Sequence, residues 1–182
     1  VTPDQERLDF LDLMALPPGA ALLEVDGTPR VDLPSEAYDG ILCVDGIARA
    51  RNRLATLTAW ARALKPAGRL LYTDPTLVAG AVTSDEIAER SGAGVLSLAP
   101  QGENESLLES AGFRLLRADD ATDAIAAIAE AAWRDRLARE AELVAAEGLE
   151  RYHVTQRRLA MTHRLAAERR LARIAFLAEK LG

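Results

Sequence analysis

The chain has 182 residues, a formal net charge of −6 and 49% hydrophobic residues, enough for one domain with its own core. The acidic balance argues against a generic nucleic-acid binder, which carries a basic face. One cysteine, Cys43, excludes an internal disulfide framework and fits a reducing compartment.

No apolar run approaches the ~18–20 residues of a membrane span. The opening VTPDQERLDF holds acids and no apolar stretch, so no signal peptide is expected. A cytoplasmic protein without a membrane partner is therefore the expectation. Aromatics make up only 4% of residues, so the core is expected to be rich in Ala, Leu and Val.

In chain order, Asp4–Ala15 predicts an amphipathic helix with Leu8, Leu11 and Met14 on its apolar stripe, capped by Thr2 or Asp4 and stopped by Leu16-Pro17-Pro18-Gly19. Ala20–Val25 predicts a strand. Tyr38–Gly46 predicts a second, in which Ile41, Leu42, Cys43 and Val44 run on without a polar break. That pattern belongs to a strand covered on both faces. Arg53–Leu64 predicts a helix with Leu54, Leu57, Ala61 and Leu64 as its stripe, ended by Lys65-Pro66-Ala67-Gly68. Arg69–Asp74 predicts a third strand, completing a βαβ unit.

Thr83 or Ser84 caps a short helix over DEIAER. Glu103–Gly112 predicts a helix, Phe113–Asp120 a fourth strand and Ala121–Gly148 a long helix with Ala126, Ala129, Trp133, Leu137, Ala141 and Val144 as its stripe. Tyr152–Arg170 predicts another helix, and the alternation of Ala172, Ile174, Phe176 and Ala178 predicts a final strand. The expected architecture is therefore α/β: a Rossmann-like doubly wound sheet, mostly parallel, with helical segment 121–170 between its last two strands. In such sheets ligands bind beyond the carboxyl ends of strands. Those ends here are Glu24–Gly27, Val44–Gly46 and Thr73–Pro75.

The chemistry-bearing residues are few. His153 and His163 lie ten apart on one predicted helix, and at ~100° per residue they are not an i,i+4 metal pair. No P-loop, Gly-x-Ser-x-Gly, His-Glu-x-x-His or Cys-x-x-Cys occurs, so no metal site is expected. Cys43 is mid-strand with no basic neighbour and suits an inert core thiol. Glu24, Asp45 and Asp74 are acids at strand ends. Each suits a ligand contact or an ordinary turn.

Asp32-Leu33-Pro34, Tyr38-Asp39 before the second strand, Leu64-Lys65-Pro66-Ala67-Gly68-Arg69, Glu109–Leu116 and Arg170–Lys180 occur in an order that resembles the class I S-adenosylmethionine-dependent methyltransferases. In that comparison Tyr38–Val44 corresponds to the family's fourth strand, Arg69–Asp74 to its fifth, and Arg170–Lys180 to its antiparallel last strand. Pro17–Val25 resembles the first strand, whose terminal Glu precedes a Gly-x-Gly loop. Here Asp26-Gly27-Thr28 stands in that place.

The resemblance leaves a gap. Only about fourteen residues, Asp26–Asp39, separate the first two strands. The family needs three crossovers there, and a βαβ unit takes ~30 residues. Strands two and three, with their helices, have no sequence between about residues 25 and 32. A segment omitted from the sequence as written is expected; the rival is a genuine deletion, which would leave apolar strand faces and edges uncovered.

The resemblance implies S-adenosyl-L-methionine-dependent methyl transfer to a small molecule by a single domain over 1–182, with 121–170 as a lid or homodimer surface. By resemblance Glu24 and Val25 border the methionine and ribose of the cofactor, and Asp26 and Gly27 stand at the cofactor loop. Asp32 and Leu33 lie near the adenine, while Cys43, Val44, Asp45 and Gly46 line the cofactor and acceptor pocket. Related sequences often carry a His a few residues after that strand; this chain has Arg49. Asp45 and His153 are the candidate catalytic residues, His153 beside Tyr152 on the lid. A non-catalytic methyltransferase-like binding or structural domain is the alternative, favoured by the missing Gly-rich loop. A nicotinamide-dependent Rossmann enzyme shares the fold class but not the antiparallel last strand.

Overall fold

An unbroken apolar run such as Ile41–Val44 must be covered on both faces. In the computed structural model, which describes residues 2–92 and 96–182, the sheet is built around this requirement. The five strands are β1 (Leu22–Glu24), β2 (Tyr38–Cys43), β3 (Leu64–Val78), β4 (Phe113–Asp120) and β5 (Leu171–Lys180). Their order is β1-β2-β3-β5-β4. β1, β2 and β3 pair parallel, whereas β5 runs antiparallel to both β3 and β4.

Side chains alternate across the pleat. Ile41, Cys43, Leu70, Tyr72, Phe176 and Ala178 pack on one side against Leu57 and Trp60 of α2 (Arg53–Ala63) and Leu108 of α4 (Glu103–Ser110). Leu42, Leu71, Ala175 and Leu177 pack on the other, against Phe10 and Met14 of α1 (Pro3–Met14).

Parallel strands need a crossover, yet no helix forms between β1 and β2. The connection is an extended loop laid over α2. Trp60 Nε1 donates to Arg30 O at 3.1 Å, Arg62 Nη2 donates to Leu33 O at 3.3 Å, and the amides of Glu36 and Ala37 donate to Arg62 O and Ala63 O. Leu33 is the loop's buried anchor. Among the described residues β1 is paired on one side only.

Two stripes differ from the sequence expectation, for one reason. On α1 the buried face is Glu6, Phe10 and Met14, with Leu8 exposed. On α2 it includes Arg53, with Leu54 exposed. In each case a charged residue with a buried partner displaces a leucine from the inward face. The predicted long helix over 121–148 is instead two, α5 (Thr122–Ala138) and α6 (Glu140–Glu147), broken at Arg139 without glycine or proline. The break lets α6 fold back so that Arg136 pairs with Glu147. The outer half of the expected stripe, including Leu137, is consequently exposed.

α3 (Ser84–Ser91) begins with a capping box in which Thr83 and Glu86 satisfy each other's backbone amides. Glu86 also receives Arg164 of α7 (Leu149–Ala167) and Arg170, whose Nη1 donates to it at 2.7 Å. These bonds, Arg170 foremost, pull the Glu86 carboxyl from the ordinary 4.5 down to about 2. A depressed carboxylate stabilises the fold above its unfolded pKa, and that contribution disappears as pH falls toward the folded value. Acid titration followed by circular dichroism should therefore show a loss of stability between about pH 4.5 and about 2 that Glu86→Gln no longer displays.

Candidate functional site

β2 ends at Cys43, beside Tyr72 of β3, and the turn leaving β2 is held in an uncommon conformation. Asp45 has φ 56°, in the left-handed region, which Asp tolerates better than most residues. Its amide donates to Thr73 Oγ1 at 2.8 Å, and that hydroxyl donates to Asp45 Oδ1 at 2.6 Å. Arg173 Nε donates to the same oxygen at 2.7 Å and Nη1 reaches Glu6 Oε1 at 2.5 Å. Arg173 is 1% exposed. Burial pulls its pKa down, but Asp45 and Glu6 outweigh that, and the net shift is upward. Both bonds fall on Oδ1, so Oδ2 is without a partner among the described residues, and Asp45 lines a small cavity.

Gly46 comes next, at a point of close approach. A Cβ there would stand 2.6 Å from Cys43 Sγ and 2.8 Å from Gly27 O, so the loops after β1 and β2 touch at this glycine. Cys43 is fully buried and its thiol is pushed up to about 12 by burial, which leaves it unreactive.

At the far end of the parallel part of β3 a buried polar network closes the site floor. Arg53 pairs with Asp74, which accepts from Thr76 N at 3.1 Å, from Thr76 Oγ1 at 2.6 Å and from Asn104 Nδ2 at 2.9 Å. Tyr72 OH donates to Asn104 Oδ1 at 3.1 Å. Asp74 thus caps its own turn. Arg53, Thr76 and Asn104 carry no sequence signal: Arg53 sits where a surface helix residue is expected.

Two cavities open beyond these strand ends. One, of about 380 Å³, lies between Thr28 of the β1 loop and Arg49–Arg51. The other, of about 150 Å³, reaches from Asp45 and Pro75 to Leu159 and Thr162 of α7. They share Arg49, Arg90, Leu96 and Arg158.

The structure brings Val25, Asp26, Gly27, Val44, Asp45 and Gly46 to one end of the sheet. Glu24 stands exposed at that edge in an ion pair with Arg7, which holds its carboxyl below the usual range. Asp32 is exposed on the crossover loop and Leu33 is buried beneath it. His153 is exposed on α7, its ring edge-on to Tyr152 at 5.5 Å, and lines neither cavity. Tyr152 is buried inside the α5–α7 packing, where its hydroxyl receives Gln156 at 3.2 Å. His163 Nδ1 meets Ala126 O at 3.1 Å, joining α7 to α5.

No family model matches the sequence and no curated protein does. Solved structures match the fold. The cyclopropane synthase MmaA2 from Mycobacterium tuberculosis superposes with a TM-score of 0.77 at 15% identity, over 97% of this chain and 84% of that one. This is the class I S-adenosylmethionine-dependent methyltransferase fold. A Haemonchus contortus phosphoethanolamine N-methyltransferase bound to phosphomonomethylethanolamine and S-adenosylhomocysteine gives a TM-score of 0.71 at 16% identity, over 83% of this chain and 35% of that one. The [4+2]-cyclase SpnF gives 0.62 at 19% identity, over 87% and 55%. The chain thus spans about half or less of the length of the last two.

The Arg53–Asp74 pair is fully buried. Asp74→Ala is expected to destabilise the protein by about 3–5 kcal/mol, since it leaves a buried guanidinium without its counterion. Urea denaturation would measure this.

Proposed function

We propose that this chain catalyses S-adenosylmethionine-dependent methyl transfer to a small-molecule acceptor. The observation that carries the reading is the pair of cavities beyond the carboxyl ends of β1 and β2, in a fold whose solved members include complexes with the cofactor and its product. The residues present suit the cofactor. A Cβ built on Gly27 meets nothing within 4 Å, so the Cα face of Gly27 is open to close approach. Glu24 is tied only to Arg7, in a pair 44% and 35% exposed. Such surface pairs are worth ~0–1 kcal/mol and exchange readily for a ligand hydroxyl. Val25, Asp32, Leu33, Cys43, Val44 and Gly46 complete the proposed cofactor-side surface, Leu33 and Cys43 from beneath it.

When bound, the cofactor supplies an activated methyl group. The protein's task is to place the acceptor and take up a proton. Asp45 suits this work. Its Oδ1 is fixed by Arg173 and Thr73, which orients Oδ2 toward the smaller cavity as a base or acceptor-orienting group. Helices α5–α7 serve as the lid, with α7 forming a wall of both cavities. His153 reaches the site only if the lid moves. The same reading includes a cytoplasmic location, no nucleic-acid partner and a homodimer through the alanine-rich helices. Among the described residues no helix is long and apolar enough to cross a membrane.

The outer edge of β1, unpaired among the described residues, is where two further strands of the fold would add. We propose that the natural protein carries that segment between β1 and β2. Intact-mass spectrometry is expected to give a value well above 19.6 kDa; a mass of 19.6 kDa would favour the non-catalytic alternative.

Calorimetric titration of the full-length protein with S-adenosylhomocysteine is expected to show saturable binding; no heat and no thermal shift would sink the enzyme reading. Asp45→Asn should retain that binding but lose about 10²-fold or more in methyl transfer. His153→Ala with unchanged turnover would remove His153 from the mechanism.

A further inference from the structure

The two cavities share a wall of arginines. Arg49 and Arg51 come from the turn after β2, Arg90 from the last turn of α3 and Arg158 from the middle of α7. Arg90 is 9% exposed. None of the four guanidiniums makes an ion pair or side-chain hydrogen bond among the described residues, although their neighbours elsewhere on these elements do. Ala93, Gly94 and Val95, outside the described residues, carry no acid. The chain does not lack acids, with 28 against 22 basic residues. Of the two carboxylates that act on Arg90, Asp74 is paired with Arg53 and Asp45 is held through Oδ1 by Arg173.

Like charges converge here. Arg49 and Arg158 both act unfavourably on Arg90, and Arg49 acts unfavourably on Arg158. Burial, the largest cause, pulls the Arg90 pKa down to about 10 against the opposing pull of Asp45 and, more weakly, Asp74, with Arg158 and Arg49 adding to the burial effect; the group remains cationic at neutral pH. A largely buried cation that makes no ion pair among the described residues favours an anionic partner, and arginine's planar fork suits a carboxylate or phosphate bidentately. The smaller cavity is also lined by apolar side chains, Ile125, Ile128 and Leu159.

We infer that this arginine-lined cavity binds the oxyanion of a small acidic acceptor, a carboxylate or phosphate carried on an apolar body. Asp45, on the same cavity, faces the remainder of that molecule. Calling the ligand an acceptor rests on the methyltransferase reading; the anion site itself does not. Arg49 and Arg158 come from different elements, so closure of α7 over the anion would join the lid to the strand ends.

The test is a thermal-shift and calorimetric titration of the full-length protein with inorganic phosphate and with benzoate, each against chloride at equal ionic strength, with and without saturating S-adenosylhomocysteine. A saturable upward shift with at least one of the two is expected, the stronger response identifying the head group. Arg49→Gln and Arg158→Gln, both more exposed than Arg90, should each weaken binding roughly tenfold or more, with Arg158→Lys intermediate. No saturable response, or binding unchanged in both variants, would overturn the site. If S-adenosylhomocysteine abolishes the anion response, the arginines serve the cofactor's own carboxylate and the acceptor assignment falls. Product binding without an anion response would spare the methyltransferase reading; an anion response without product binding would do the reverse.

Discussion

The buried triad Glu6–Arg173–Asp45 is the interaction on which the arrangement depends. Arg173 lies on β5, antiparallel between β3 and β4, and it holds the first helix with one end of its guanidinium and the loop after β2 with the other. Removing Arg173 would leave the buried Glu6 carboxylate without its counterion, the costly case for ionic groups in a core. The triad therefore sets where α1 lies and which way Asp45 points. It also explains why a loop residue sits at positive φ: Thr73 bonds both its amide and its carboxylate, and Arg173 bonds the carboxylate, so the local strain is offset by three contacts.

A second polar cluster, Arg53 with Asp74, Thr76 and Asn104, does the same for the end of β3. It ties α2, α4 and the stretch at Ser97 to the strand, with Arg53 Nη2 donating to Ser97 O at 2.5 Å and only its Nε left without a protein partner. Between them the two clusters tie the strand ends by ion pairs and hydrogen bonds, while the guanidiniums of the arginine wall make no ion pair among the described residues and feel Asp45 only across the cavity. This contrast between satisfied and unsatisfied charge distinguishes the scaffold from the surface offered to a ligand. Arginines and aspartates occur in both, so charge alone does not separate them.

The crossover between β1 and β2 is physically unusual. Without a helix, its backbone groups must find partners elsewhere, and it takes them from Trp60 and the end of α2. The result is a loop whose backbone groups find partners but a three-residue β1 that, among the described residues, is paired on one edge only, a liability in most sheets. The first residues of β3 carry a smaller cost of the same kind. Ala67 has φ 60° in Lys65-Pro66-Ala67-Gly68, a conformation that favours glycine.

The sequence by itself determined the strands and most helices, because the unbroken apolar run of β2, the alternation of β5 and the Lys-Pro-Ala-Gly turn are local patterns with one physical solution. It placed the acids at the strand ends for the same reason, and it exposed the shortness of the first crossover. It did not determine which charged residues turn inward. Glu6 and Arg53 occupy ordinary helix positions, and their burial depends on partners 167 and 21 residues away. The break at Arg139 likewise depends on Arg136 meeting Glu147. The arginine wall was invisible for the same reason: Arg49, Arg90 and Arg158 lie far apart in the chain. Only the tertiary structure brings them together, and a long-range electrostatic arrangement has no periodicity to betray it.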